Sequence, residues 1–354
     1  MTDDNPVPEG RRTERIRDVA ERAGVSPATV SRVLNGVGSV NEDLRRKVLD
    51  VVEELDYRPN RLARNLRRQN AEMIGVVISD IENPHFTAMV RAVEDAAFRN
   101  DYRVLLCNTD EAGDKQRVYL EMLAAERALG VILSPSDPGG AEIGDLLDLG
   151  IPVVAFDRAV DDPRADAVVV DGRAGARRAT EHLIAAGHER IGFIGGPVTV
   201  ETGADRLAGY QQAMAGADLK PRVAEGGFRM AGGRGATDKL LAGANPPTAL
   251  VVANNLMTIG AMQTLKAYKL AVPDEIALVA IDDPFWAELV DPPLTTLAQP
   301  VRGMADTAVR LLLERIAHGR TEPRRVSFDL KLHVRGSCGA DPASVAPAPS
   351  ERQE

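Results

Sequence analysis

The sequence predicts two modules: a small all-α helix-turn-helix headpiece, then an α/β body of two doubly wound parallel sheets. Three observations predict it. Residues 16–55 carry three short helical patterns split by a glycine turn. From Met73 on, strand-length apolar runs alternate with helical patterns in two series. The charge is also divided between the two parts.

In the first module Ile16, Val19, Ala20 and Ala23 fall at i, i+3, i+4 and i+7, one helical face. Gly24 supplies a left-handed turn position. Ser26 is a good N-cap, and Pro27 sits at the first helical position, where its missing N–H costs nothing. Val30, Val33 and Leu34 form the inner side of a second helix that Asn35-Gly36 ends. Its outer face carries Ala28, Thr29, Ser31 and Arg32: small or hydrogen-bonding groups, plus one bidentate donor suited to guanine O6 and N7. Leu44, Val48, Val51, Val52 and Leu55 pack a third helix underneath. A plain three-helix bundle would share this much. Tyr57-Arg58-Pro59-Asn60 then breaks the pattern, and Arg61 to Arg68 reads as about two marginal helical turns. Five arginines and no acid lie between Arg58 and Gln69, with Leu66 as one exposed apolar candidate. Such a segment suits folding against DNA and wedging a side chain into a base step.

In the body, strands are expected at 74–78, 103–107, 130–134 and 152–156, with helices at 85–99, 114–128 and 141–149. A second series has strands at 167–170, 191–195, 249–253 and 276–281, with helices at 173–186, 202–216, 234–243 and 256–269. Continuous apolar strands between helices mean parallel sheets covered on both faces. Ligands bind such sheets beyond the strand C-termini, so two facing sheets would make a cleft. The residues there are Asn83, Phe86, Ser134, Asp157, Arg158, Arg206, Asn254, Asp282, Trp286 and Gln299. Asn, Asp, Arg and Gln with aromatic rings suit a neutral polyhydroxylated ligand, since each hydroxyl both donates and accepts. Taken singly, Asp and Asn at strand ends are as well explained as turn formers or caps.

The net charge is −9, but residues 1–70 hold 14 Lys+Arg against 12 Asp+Glu, while the remainder holds 29 against 40. A basic stripe ahead of an acidic body suggests an appended DNA-contacting module. At 354 residues, two or three domains of about 100–200 residues are expected. No apolar run is long enough to cross a membrane, and the polar N-terminus carries no secretory signal. Two cysteines, Cys107 and Cys338, make neither a disulfide framework nor a structural zinc site, which points to the cytoplasm. Cys107 reads as core. No metal motif, cofactor motif or nucleophile–base–orienter set is visible among His85, His182, His188, His318, His333 and their neighbours, so neither a cofactor nor an enzyme is expected. The five histidines read as surface or capping residues. Gly232-Gly233-Arg234-Gly235 reads as a helix start rather than a phosphate loop.

Ile16-Arg17-Asp18-Val19-Ala20-Glu21-Arg22-Ala23-Gly24-Val25-Ser26-Pro27-Ala28-Thr29-Val30-Ser31-Arg32-Val33-Leu34-Asn35-Gly36 resembles the headpiece of the lactose-repressor (LacI/GalR) family. Tyr57-Arg58-Pro59-Asn60 and Ala63-Arg64-Asn65-Leu66 resemble its hinge helix, and the likeness runs from about Arg15 to Cys338. The resemblance implies a homodimeric transcriptional regulator, usually a repressor, on pseudo-palindromic double-stranded DNA. It implies DNA contacts from Ser26, Pro27, Ala28, Thr29, Ser31, Arg32, Asn35, Asn60, Arg64, Leu66 and Arg67, with Leu66 entering the minor groove. It divides the chain into an arm (1–12), headpiece (13–58), hinge helix (59–70), core N-subdomain (71–168 and 300–326), core C-subdomain (169–299 and 327–338) and a disordered tail (339–354). The body is similar to periplasmic sugar-binding proteins, particularly the ribose-binding type. There Asp157, Arg158, Arg206, Asn254, Asp282 and Gln299 match the sugar-binding positions. Departures are His85 in Asn83-Pro84-His85-Phe86, where that type carries a second aromatic, Ser134 in place of an amide, and Asn255 where many members carry Asp. The implied effector is a small sugar such as a pentose. The alternatives are a nucleoside or purine effector, or a solute-binding module with no regulatory role.

Overall fold

The computed structural model describes residues 16–35, 41–55 and 73–340. It divides into two compact units, residues 1–71 and 72–354. Expectations for Asn60, Arg64, Leu66 and Arg67, the arm, the hinge helix and residues 341–354 of the tail lie outside the described residues.

The first unit holds α1 (Ile16–Ala23), α2 (Pro27–Asn35) and α3 (Glu42–Glu54). Val19, Ala20, Ala23, Val30, Val33, Val48 and Val51 form its buried core. At about 1.5–3 kcal/mol per large apolar side chain, such a core is only just enough for so small a bundle. Gly24 turns the chain at φ +64°, and Val25 N–H donates to Ala20 C=O at 2.9 Å. Thr29 N–H donates to Ser26 Oγ at 3.2 Å, so Ser26 caps α2. Asp43 N–H donates to Asn41 Oδ1 at 2.9 Å, beginning α3 the same way. An Arg22–Glu54 ion pair ties α1 to the end of α3.

The second unit contains two six-stranded sheets. The first orders β11 (Arg325–Phe328), β5 (Asp166–Val170), β4 (Val153–Asp157), β3 (Val131–Leu133), β1 (Met73–Ile78) and β2 (Arg103–Asn108), all parallel. The second orders β12 (Lys331–His333), β10 (Thr295–Ala298), β9 (Ala277–Ile281), β8 (Ala249–Val252), β6 (Ile191–Gly195) and β7 (Arg222–Glu225). It is parallel except for β10 against β12. In each sheet the strand order reverses beside the first strand, which leaves a crevice beyond the strand C-termini. Because side chains alternate across a strand, Ile74, Val76 and Ile78 join one core. Val77 joins another, with Leu120, Leu123, Ile143 and Leu146.

Three expectations need correction. Residues 167–170, read with the second series, pair in parallel with β4 and with β11 in the first sheet. A boundary at 168/169 therefore cuts β5, and the chain crosses only after Val170. The cause lies 149 and 154 residues away: Asp166, wholly buried, takes ion pairs from Arg315 (2.9 Å) and Arg320 and locks β5 to the last long helix, Val301–His318. The terminal stretch 325–334, which by its sequence reads as one strand, is two, one in each sheet, because Asp329 and Leu330 carry the chain across. β7, short and half-exposed, was not anticipated. Gly232 to Gly235 lie in the first turns of helix Met230–Leu241. Cys107 is buried in β2. Among the described residues no helix is long and apolar enough to cross a membrane, and no group of three His, Cys, Asp or Glu could hold a metal.

Candidate functional site

The C-terminal ends of both sheets converge on one cavity. From the first sheet come Asp80 and Asn83 after β1, Glu111 after β2, and Asp157 and Arg158 at the end of β4. From the second come Phe228, Asn254, Asp282 and Gln299 after β7, β8, β9 and β10, with Arg206 from helix Glu201–Gly216. Asp157 and Asp282 hold φ of +66° and +77°. Such strain costs about 1–3 kcal/mol per residue and concentrates where side chains must be aimed.

Much of this lining is braced. Asn83 Oδ1 accepts from His85 N–H at 3.1 Å, capping helix Pro84–Phe98, and also from Asn255 Nδ2 at 3.2 Å. Asn254 Oδ1 caps helix Asn255–Ala267 through Met257 N–H at 2.9 Å, and its Nδ2 donates to Phe228 C=O. The turn-former reading of these two asparagines and their place in the cleft are therefore both correct at once. Arg206 Nη1 donates to Ala253 C=O at 2.6 Å, and Gln299 Nε2 to Asp282 Oδ1 at 2.6 Å. Arg158 forks onto both Glu111 oxygens at 2.6 Å, and its guanidinium lies 5.7 Å from the centre of the Phe228 ring. That ring packs on Gly196, where a Cβ would lie 2.1 Å from it. Contacts also cross between the sheets' sides: Arg229 pairs with Asp80 at 2.7 Å, and Ala159 N–H donates to Glu201 Oε2 at 2.8 Å.

Five buried polar atoms of the lining have no hydrogen-bond partner among the described residues: His85 Nε2, Asp157 Oδ1, Arg158 Nε, Arg206 Nε and Gln299 Oε1. Two donate, two accept, and the imidazole nitrogen can do either. The charges are largely matched within the wall: Asp80 with Arg229, Glu111 with Arg158, Asp157 with His85. Burial alone would raise the Asp157 pKa, but His85, Arg158 and Arg206 outweigh it and hold the carboxyl at about 2. Burial likewise disfavours the His85 cation, but Asp157 and Asp282 outweigh it against Arg206, so its pKa is raised. Burial is also what pushes Asp80 up.

The cavity thus gathers Asn83, Phe86, Asp157, Arg158, Arg206, Asn254, Asp282 and Gln299. It does not include Ser134 or Trp286. Ser134 is wholly buried, with its hydroxyl 3.1 Å from that of Ser79. Trp286 packs on the main apolar core, because the turn after Pro284 carries it past the cleft. Sequence reasoning missed Asp80, Glu111, Thr202, Phe228 and above all His85. Classed with the surface histidines, His85 is instead buried, edge-on to Phe86 at 5.2 Å, since the Asn83 cap folds this first helical turn into the cleft. The departure from a second aromatic at His85 was the available signal.

In the headpiece, Pro27, Ala28, Thr29, Ser31, Arg32 and Asn35 share α2, with Ser26 at its cap. Arg32 is exposed. Thr29 Oγ1 lies 2.9 Å from Ser26 Oγ, so these two hydroxyls brace each other.

Residues 15–60 match the family model of bacterial regulatory proteins of the lacI family, and residues 180–338 match a periplasmic binding protein-like domain. The chain is 34% identical over 313 residues to the HTH-type transcriptional repressor PurR of Aliivibrio salmonicida, spanning 87% of this chain and 94% of that protein. It is 36% identical over 320 residues to the ribose operon repressor of Halalkalibacterium halodurans, spanning 90% and 96%. Its fold is similar to that of the lac repressor dimer bound to operator and the anti-inducer ONPF, with a TM-score of 0.82, 28% identity, and coverage of 92% and 99%.

Proposed function

This chain belongs to the lacI family of bacterial regulatory proteins, and on that premise we propose that it is a cytoplasmic, homodimeric repressor whose operator affinity is set by a neutral sugar in the cleft between the two sheets. The observation that carries the effector is the set of five unpartnered buried atoms, donors and acceptors mixed, in a wall whose charges are largely paired. A hydroxyl satisfies either kind of atom, so a polyol fits this mixture better than an anion or a cation does. A pentose suits both the matched positions and the name of the ribose operon repressor relative.

In this reading α2 enters the major groove, Arg32, Thr29 and Ala28 contact base edges, and Ser26 and Ser31 contact phosphates. Asn60, Arg64, Leu66 and Arg67 serve the segment joining the two units, with Leu66 as the minor-groove wedge. Asp157, Arg158, Arg206, Asn254, Asp282 and Gln299 hold sugar hydroxyls, and Phe86 and Phe228 cover its C–H faces. The sugar acts only through unequal affinity for two states of the core, at a typical coupling of about 1–3 kcal/mol.

Fluorescence anisotropy at fixed salt tests this. The full chain is titrated onto pseudo-palindromic DNA from upstream of its own gene, with and without D-ribose. The expected result is specific binding that changes roughly 5–150-fold with ribose. Binding that responds to hypoxanthine or guanine, and to no sugar, assigns the cleft to a purine instead. Sugar binding with no specific DNA binding leaves the solute-binding module.

A further inference from the structure

We propose that His85 and Asp157 form a two-point clamp on a single hydroxyl of the effector, and that His85 is the residue by which this cleft selects its ligand. The proposal rests on the sugar reading above and adds to it a residue and a chemical requirement.

His85 and Asp157 are 7% and 5% exposed, and both line the cavity. His85 Nε2 and Asp157 Oδ1 stand 3.6 Å apart, and neither has a hydrogen-bond partner among the described residues. That distance is too long for a good hydrogen bond between them. An oxygen on the cavity side, about 2.8 Å from each atom, joins both. The two ends of the gap differ in kind. Asp157 is an acceptor, because its carboxyl stays ionised beside Arg158 and Arg206. The imidazole faces two acids, Asp157 from β4 and Asp282 after β9, against one cation, Arg206; this raises its pKa and favours a hydrogen on the Nε2 that points at Asp157. Nε2 therefore donates. A group that accepts from one end and donates to the other is a hydroxyl. A carbonyl only accepts and an ammonium only donates, so each leaves one buried atom unmet.

The same geometry explains the histidine. A ring that offers only its face would cover a sugar's C–H surface, as Phe86 beside it does at 5.2 Å. An imidazole gives up part of that apolar contact for one directed N–H. The cleft then distinguishes ligands at one carbon, which an aromatic at position 85 cannot do.

Calorimetric titration of the full-length protein tests the clamp. The parent probe is whichever of D-ribose, D-xylose, D-glucose and D-galactose binds most tightly, set against its own monodeoxy analogues. In the wild type, one analogue is expected to lose about 10²-fold or more in affinity, because it leaves a buried donor and acceptor unpaired. In His85→Phe that penalty shrinks by about tenfold, the share owed to the lost donor, while Asp157 keeps the remainder and the penalties for the other analogues persist. His85→Gln, which keeps a donor of similar reach, restores part of the discrimination and stands in if the phenylalanine variant does not fold. If His85 serves only as an ion-pair partner of Asp157, both variants lower the melting temperature and weaken every analogue by the same factor, which overturns the clamp. Binding of the parent sugar unchanged by both variants overturns it too. If none of the four sugars binds the wild type, the sugar reading itself has failed and the clamp falls with it.

Discussion

The proposed DNA-contacting face of the headpiece and the cleft of the body are built in opposite ways. The first comes from one helix and its cap, Ser26 to Asn35, placed by a core of small aliphatic residues from three short helices. The second takes side chains from strand ends spread between Asp80 and Gln299, on two sheets that the chain crosses more than once. A contiguous site is specified by helical periodicity and a cap. A distributed one depends on which strands pair. The headpiece should therefore tolerate changes in the cleft, and the cleft changes in the headpiece, unless the coupling between them is what the change removes.

The largest effect should come from separating the two sites inside the cleft. Asp282→Ala removes a buried carboxylate that Gln299 braces at 2.6 Å and leaves unmet donors around it. Sugar affinity should fall at least about 10²-fold, from the roughly 1.5–3 kcal/mol of a charge-assisted bond together with the unmet donors, while sugar-free operator binding stays within about twofold. Calorimetry beside anisotropy reads both, and a retained sugar response would move the pocket elsewhere. The mirror experiment is Arg32→Ala. Loss of one bidentate base contact should cost about 1–3 kcal/mol of specific operator affinity, with sugar binding unchanged. An unchanged operator affinity would remove Arg32 from the base-reading set.

Leu66→Ala sharpens the comparison for the segment between the units. Its effect should fall on specific DNA far more than on nonspecific DNA, because a wedge helps only where the duplex is kinked. Equal losses on both would exclude intercalation. Ser26→Ala should cost about 1 kcal/mol of headpiece stability, since its hydroxyl caps α2. Urea unfolding of the headpiece transition measures that, and an unmoved midpoint would deny the cap.

The smallest effect should be a pH dependence confined to the cleft. The His85 pKa is raised on folding, so its contribution is complete below its ordinary value near 6.5 and is lost as pH rises through the raised value. The Asp157 pKa is lowered to about 2, so its contribution is complete above its ordinary value near 4 and is lost as pH falls toward 2. Stability from this pair therefore peaks between about pH 4 and 6.5. His85→Phe should flatten the alkaline side of the unfolding profile, and an unchanged slope there would contradict the pairing.

The cleft residues Asp157, Arg158, Arg206, Asn254, Asp282 and Gln299 were found because each follows an apolar run that could only be a buried strand, or opens a helix after one. His85 escaped because its own neighbourhood, a helix start after Asn83-Pro84, is the same for an exposed residue as for a buried one. Trp286 misled because proximity in sequence to Asp282 says nothing about the direction of a turn, and this one packs the indole on the core.

What the sequence determined by itself is whatever follows from local periodicity and capping: the three headpiece helices, the glycine turn at Gly24, most of the body's strands and helices, and the family likeness of residues 15–60. Tertiary structure alone decided that β5 sits beside β11 in the first sheet, that Phe228 and not Trp286 walls the cavity, and that His85 faces Asp157 at 3.6 Å. These depend on contacts between segments far apart in the chain. A short apolar strand pairs equally well with any neighbour of its kind until the buried Asp166–arginine pairs and the packing of the whole core select one partner.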